Sequence, residues 1–149
     1  MKKDIRYVPT PPAVVEAMLD LASVGPRDVF YDLGSGDGRL VIGAALRGAQ
    51  AVGIDIDKSL VLRSRVLAVS AGVDELASFR HQNFFEADFQ PATVVSLYLL
   101  HSVNLALLPK LQAELKPGTR LISHSFDMGL WKPQRELMVE TKLLFLWTV

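Results

Sequence analysis

The segment Val29-Phe-Tyr-Asp-Leu-Gly-Ser-Gly-Asp-Gly-Arg39 decides the fold of this 149-residue chain. A short apolar run ends in three glycines at alternate positions, and a helical pattern of apolar residues begins at Arg39. Glycine suits this position because the backbone must turn sharply and a ligand approaches without a Cβ in the way. The segment therefore predicts a strand, a tight glycine turn and a helix.

The same alternation of strand and helix continues along the rest of the chain. We predict further strands at 51–56, 77–83, 92–100 and 120–124, helices at 13–24, 39–47, 58–71 and 104–115, and one or two strands within 137–149. Thr10 is expected to cap the first helix. Strands that alternate with helices form a mainly parallel sheet covered on both faces. The sequence therefore predicts a doubly wound α/β fold in a single domain, residues 1–149.

Composition and charge limit the possible classes of protein. Sixteen basic residues balance sixteen acidic ones, so the broad basic surface of a DNA-binding protein is missing and no DNA partner is expected. The absence of cysteine excludes disulfides and cysteine nucleophiles, and the three histidines lack metal-ligand spacing, so we predict no metal. No apolar stretch reaches the length of a membrane span, and we expect no signal peptide. We expect a soluble, cytoplasmic protein.

The spacing of the three glycines separates two classes of ligand. Dinucleotide-binding enzymes use G-x-G-x-x-G, in which the third glycine brings a helix N-terminus close to a pyrophosphate. Here Gly38 comes one residue early and Arg39 occupies the last place. A buried carboxylate at Asp32 is costly unless it meets donors or a cation. The ammonium and sulfonium of S-adenosylmethionine suit Asp32 and Asp37 better than a pyrophosphate does, and a tight turn without a ligand is the alternative.

Two acidic residues follow the second predicted strand. Asp55 comes about 20 residues after the first glycine, where a carboxylate accepts hydrogen bonds from ribose hydroxyls. Either Asp55 or Asp57 is able to cap the following helix. We favour Asp57 for the cap and Asp55 for the ribose.

Residues Val29 to Arg39 resemble the first motif of class I S-adenosylmethionine-dependent methyltransferases, and Val52-Gly-Ile-Asp55 resembles the second. With Tyr-Val-Pro-Thr-Pro at 7–11, the chain is most similar to the branch of small protein-lysine methyltransferases that modify the ATP synthase c-subunit, with the Dot1 group as distant relatives. The resemblance extends from Tyr7 to about Trp131. It implies a Rossmann-like, mainly parallel sheet of seven strands with an antiparallel C-terminal edge, S-adenosyl-L-methionine as cofactor, and a protein lysine as the favoured acceptor.

The resemblance also implies which residues bind the cofactor. An Asp usually follows the third strand and accepts from the adenine amino group; Asn83 takes that place here, with Phe84 or Phe85 on the adenine face and Asp88 as a competing candidate. The implied cofactor residues are Asp32, Gly34, Ser35, Gly36, Asp37, Gly38, Asp55, Ile56, Asn83 and Phe84.

The catalytic position of the superfamily corresponds to Tyr98-Leu-Leu-His-Ser-Val-Asn104, after the fourth strand. The Asn-Pro-Pro-Tyr motif of enzymes that methylate adenine N6 or glutamine is absent. The predicted catalytic residues are Tyr98 and Asn104, together with Tyr7 and Thr10 from an N-terminal part, residues 1–25, that lines the pocket. A core aromatic role for Tyr98 and a helix cap at Asn104 are the alternatives.

Three alternatives at the level of function stay open. In the first, the acceptor is a small molecule or RNA instead of a protein. In the second, the domain binds cofactor as a scaffold without catalysis. An NAD-dependent dehydrogenase is disfavoured by the position of Gly38. The apolar C-terminal edge suggests a homodimer, and His81 and His124 are interpreted as structural.

Overall fold

The computed structural model describes residues 9–99, 101–125 and 127–149. Seven strands in these residues form one sheet. The strands are β1 Val29–Leu33, β2 Gln50–Asp55, β3 Ala77–His81, β4 Val94–Leu97, β5 Arg120–His124, β6 Arg135–Val139 and β7 Lys142–Thr148. Their order is β3-β2-β1-β4-β5-β7-β6, with β1 to β5 parallel and β7 antiparallel to both β5 and β6. The predicted sheet, including its antiparallel C-terminal edge, is confirmed.

Helices cover both faces of the sheet. They are α1 Pro12–Leu21, α2 Arg39–Leu46, α3 Lys58–Ser70 and α4 His101–Glu114. Apolar side chains of α1, α2 and α3 pack on one face, whereas α4 and the loop at 84–92 pack on the other. The central strands are therefore buried on both sides, as expected of a doubly wound α/β fold.

Most predicted helix and strand ends differ from the observed ones by one to three residues, and β4 is limited to Val94–Leu97. Three of the differences concern predicted site or cap residues. Helix α4 begins at His101, so Asn104 lies inside the helix and its alternative role as the helix cap is wrong. Thr10 does not cap α1, because Pro11 is the N-cap residue and no side chain bonds the first turn. Strand β3 ends at His81, since Asn83 turns the chain by accepting a hydrogen bond from Phe85 N at 3.0 Å.

The parallel strands place their carboxyl ends along one edge of the sheet, which is where open α/β sheets bind ligands. Phe30, Val94 and Ile122 pack on the face covered by α1 to α3. Side chains two residues apart on a strand point to the same face. Asp32 and Ser96, which are register partners on β1 and β4, therefore face α1 to α3 near this edge.

Candidate active site

The glycine loop between β1 and α2 requires glycine for steric reasons. Gly34 and Gly38 have φ values of 82° and 84°. A Cβ at Gly34 would lie 3.0 Å from a methyl carbon of Leu99, and one at Gly38 would lie 2.7 Å from the ring of Phe79. The loop is also tied to β2, because Gly34 N and Ser35 N donate to the carbonyl of Ile54 at 2.8 and 3.1 Å. The backbone at the end of β1 is thus held in a single compact turn.

Asp55 supports the glycine loop from β2. Its Oδ2 accepts from Gly36 N at 2.8 Å and its Oδ1 accepts from Asp57 N at 2.8 Å. Asp57 accepts from Ser59 N at 3.0 Å and from Leu60 N at 3.3 Å, so the predicted cap of α3 is confirmed. A carboxylate has about four acceptor sites, so Asp55 keeps acceptor capacity for ribose hydroxyls. Its ribose contact stays a prediction.

Asp32 is a buried carboxyl group at the centre of this edge. The residue is 3% exposed, and Ser96 Oγ donates to its Oδ1 at 2.8 Å. The pKa of Asp32 is raised to about 7, chiefly by burial; the Ser96 hydrogen bond opposes this rise, and the nearby Asp55 and Asp37 carboxylates contribute to it. Within the described residues Asp32 has no salt bridge, so a cationic ligand such as the ammonium of S-adenosylmethionine fits this position.

Asp37 is paired inside the protein. Arg39 Nε donates to its Oδ1 at 3.0 Å and Arg39 Nη2 to its Oδ2 at 2.5 Å, while Arg39 Nη1 donates to the carbonyl of Thr10 at 2.8 Å. The sequence-based argument that both carboxylates attract a cationic ligand therefore applies to Asp32 and not to Asp37. A contact between Asp37 and the cofactor stays a prediction.

The other predicted cofactor residues lie around the ends of β2 and β3. Ser35 is buried, and its Oγ has no hydrogen-bond partner among the described residues. Ile56 follows β2, half-buried, and its carbonyl lies 3.0 Å from His81 Nε2. Asn83 Oδ1 is engaged in the turn after β3, and Phe84 is packed in the core with only 8% of its surface exposed.

Phe85 and Asp88 complete the surroundings of the predicted adenine site. Phe85 is 36% exposed, with its ring centroid 5.1 Å from that of Phe84. Phe85 is thus the more accessible of the two rings. Asp88 is exposed and its Oδ1 accepts from Gln90 N at 3.0 Å, which is a turn contact. The residue that contacts adenine stays a prediction.

The predicted acceptor side of the site lies at the ends of β4 and β5. The half-buried Tyr98 ring stacks on His124, with a centroid distance of 4.0 Å. His124 is fully buried, and burial, together with the Lys142 charge, lowers the pKa of its imidazole to about 4. Asn104 is also fully buried, and its Nδ2 donates to the carbonyl of Asp127 at 3.3 Å. Asn104 therefore braces α4 against the segment that follows β5.

The N-terminal candidates divide between described and undescribed parts of the chain. Thr10 is 5% exposed and its carbonyl bonds Arg39 beside the glycine loop. Tyr7 lies outside the described residues. The contribution of residues 1–25 to the pocket stays a prediction.

Sequence reasoning missed Ser96 and the double contact of Arg39. The signal for Ser96 is a lone hydroxyl in the apolar run Val94–Leu97, which becomes informative once β4 is paired with β1. Among the residues that the structure describes, no three His, Asp or Glu side chains gather as metal ligands, and no helix is long and apolar enough to cross a membrane.

The strand order, the glycine loop and the buried carboxyl group at the end of β1 define a class I S-adenosylmethionine-dependent methyltransferase. The sequence profile of the ANTKMT methyltransferase domain matches residues 32–135, and the chain belongs to that family. Its membership confirms the enzyme class and the cofactor that the first motif implied.

Three relatives give this assignment its detail. The chain is 45% identical to a protein-lysine N-methyltransferase of Saccharolobus islandicus, over 91% of this chain and 86% of the relative. It is 33% identical to the adenine nucleotide translocase lysine N-methyltransferase of Mus musculus, over 89% of this chain but 58% of that enzyme. A crystal structure of an RNA methyltransferase from Salinibacter ruber in complex with S-adenosyl-L-homocysteine has a TM-score of 0.94 and 53% identity, covering 95% of this chain and 94% of that one.

Proposed function

We propose that this methyltransferase transfers a methyl group to the side-chain amine of lysine in a protein. The observation that carries the proposal is the 45% identity to the archaeal protein-lysine N-methyltransferase across nearly the whole length of both chains. Mouse relatives named for lysines of the adenine nucleotide translocase and of the ATP synthase c-subunit support the same acceptor class. In the described part of the chain, the connections at the carboxyl edge carry no inserted domain, which suits an acceptor on a macromolecule.

The residues at the carboxyl edge suit this chemistry. S-adenosylmethionine, when bound, supplies a methyl group on a positively charged sulfur. Asp32 is proposed to hold the ammonium of the cofactor, and Asp55 the ribose. The enzyme then mainly aligns the acceptor, whose lysine amine must be deprotonated to attack, because methyl transfer is an in-line displacement. The Tyr98 hydroxyl, near the end of β4, is proposed to orient the amine.

An RNA acceptor is the second candidate, and it rests on the name of the Salinibacter ruber protein. Extended RNA binding draws on phosphate contacts from a basic surface. This chain has equal numbers of basic and acidic residues. The charge balance therefore favours a protein acceptor.

The test separates protein from RNA directly. The purified enzyme is incubated with isotopically labelled S-adenosylmethionine and a host-cell extract, which is then split into protein and RNA fractions and hydrolysed. We expect label in methyl-lysine from the protein fraction, and none with an Asp55→Ala variant. Label confined to RNA would replace lysine with a nucleotide acceptor, and label in neither fraction, with cofactor binding intact, would favour the scaffold alternative.

A homodimer and a cytoplasmic location are further proposals. The edge strand β6 exposes Leu137 and Met138, at 38% and 61% of their surface, and a second copy is a suitable cover for such an edge. Light scattering of the purified protein tests the dimer, and a tagged copy imaged or fractionated in its host tests the location.

A further inference from the structure

Two arginines at opposite ends of α2 contact α1 or the residues just before it. Arg39 is the first residue of α2, at the edge of the sheet where the glycine loop lies, and it bonds the carbonyl of Thr10. Arg47 follows the last residue of α2, and its Nη2 lies 2.8 Å from carboxylate oxygens of both Glu16 and Asp20 in α1. The same pair of helices is therefore held once beside the site and once far from it.

The contacts of Arg39 need an explanation beyond helix stability. A positive side chain in the first turn of a helix opposes the helix dipole. Arg39 nevertheless occupies this position, where two of its nitrogens bind the Asp37 carboxylate and the third reaches a backbone oxygen of another segment. Thr10 supplies that oxygen, and it precedes a helix whose N-cap residue, Pro11, makes no side-chain cap. The start of α1 is thus held by a contact from the glycine loop.

We propose that Arg39 is a positioning residue that holds Thr10 and the start of α1 against the cofactor loop. Asp37 lies between Gly36 and Gly38 of that loop, and Gly36 is itself bonded to Asp55. A ligand that holds the loop in place therefore also holds Asp37, then Arg39, and then the carbonyl of Thr10. The link to the acceptor rests on the proposed function and on the predicted place of Thr10 among the catalytic residues.

This arrangement makes cofactor binding and the position of the start of α1 thermodynamically coupled. If cofactor binding favours the contact between Arg39 and Thr10 by some factor, loss of that contact weakens cofactor binding by the same factor. Such couplings are typically about 5-fold to 150-fold. We expect a factor of about 10 here, toward the lower end of that range.

The two arginines provide a matched pair of variants. Arg39→Lys keeps the positive charge, but a single ammonium does not reproduce the planar fork that binds Asp37 and reaches Thr10 at once. Arg47→Lys makes the same chemical change in the same pair of helices, at the end away from the site. The two arginine side chains are similarly exposed, at 36% and 25%, so both variants are expected to fold, and thermal unfolding verifies this.

The decisive measurement is hydrogen–deuterium exchange of the first turns of α1, with and without S-adenosylhomocysteine. In the wild type and in Arg47→Lys, the ligand should slow exchange of the amides that begin α1, such as Val14 and Val15. In Arg39→Lys this protection should be lost, and calorimetry should show S-adenosylhomocysteine binding weakened by about 10-fold. Arg39→Gln, which lacks the charge, should behave like Arg39→Lys.

Two results would overturn the proposal. One is that Arg39→Lys retains the ligand-dependent protection of α1; the other is that Arg47→Lys loses it to the same extent. Neither measurement uses an acceptor, so the coupling is tested even where no methyl-lysine is formed. With a lysine substrate in hand, Arg39→Lys should raise KM for that substrate more than it lowers kcat, and Arg47→Lys should change neither.

Discussion

Replacing Asp32 by Asn should make the protein more stable in the absence of cofactor, and the gain should depend on pH. Asn is close in shape to Asp, and its Oδ1 still accepts the hydrogen bond from Ser96 Oγ. The variant therefore removes the charge and leaves the packing nearly unchanged. Because burial raises the pKa of Asp32 from 3.8 to about 7, the folded protein takes up a proton there more readily than the unfolded chain.

The sign and size follow from this difference in pKa. The stability that comes from the protonated Asp32 is fully present below pH 3.8 and is lost as the pH rises through about 7. Roughly three pKa units at about 1.4 kcal/mol each give a loss of about 4 kcal/mol at pH 8. At pH 5 the loss is less than half as large, because only the first part of the interval has been crossed. The Asp32→Asn variant has no such loss at either pH.

Urea unfolding of the cofactor-free wild type and of Asp32→Asn at pH 5 and pH 8 measures the effect. The variant should be more stable at both, and its advantage should grow by about 2 to 3 kcal/mol between them. Its affinity for S-adenosylhomocysteine should fall sharply, since the charge that attracts the ammonium is gone. A variant that is no more stable than the wild type at pH 8, or an advantage that does not change with pH, would refute the argument.

Three further predictions concern stability. Burial lowers the pKa of His124 to about 4. The free energy of unfolding should therefore fall as the pH drops from about 6.5 to about 4, because only the unfolded chain takes up the proton in this range. In acid titrations, the stability of a His124→Leu variant should fall less steeply than that of the wild type. Gly38→Ala and Gly118→Ala both place a side chain at positive φ, which costs about 1 to 2 kcal/mol of stability. Only Gly38 lies against a neighbouring ring, so calorimetry should show the larger loss of stability for Gly38→Ala. Asp57→Ala should lower stability by about 1 kcal/mol, because the cap of α3 is lost. Its affinity for S-adenosylhomocysteine should be unchanged in titrations, whereas Asp55→Ala should bind this ligand more weakly.

The sequence by itself was enough for the features that arise from neighbouring residues. The strand, glycine turn and helix at 29–47 follow from local periodicity and from backbone angles that only glycine adopts readily. Asp57 caps α3 by accepting a hydrogen bond from Ser59 N, two residues further along the chain. The resemblance of this segment to a known motif predicted the cofactor and the enzyme class.

The tertiary structure decided which distant groups meet. Ser96 lies 64 residues from Asp32 and reaches it because β4 pairs with β1 in one register. Thr10 was predicted as a helix cap, yet its carbonyl is held by Arg39, 29 residues away, and Arg39 also neutralises Asp37. A polar side chain forms a hydrogen bond with any partner of suitable geometry. Local sequence therefore shows which groups need partners, whereas strand register and helix packing determine which partners they find.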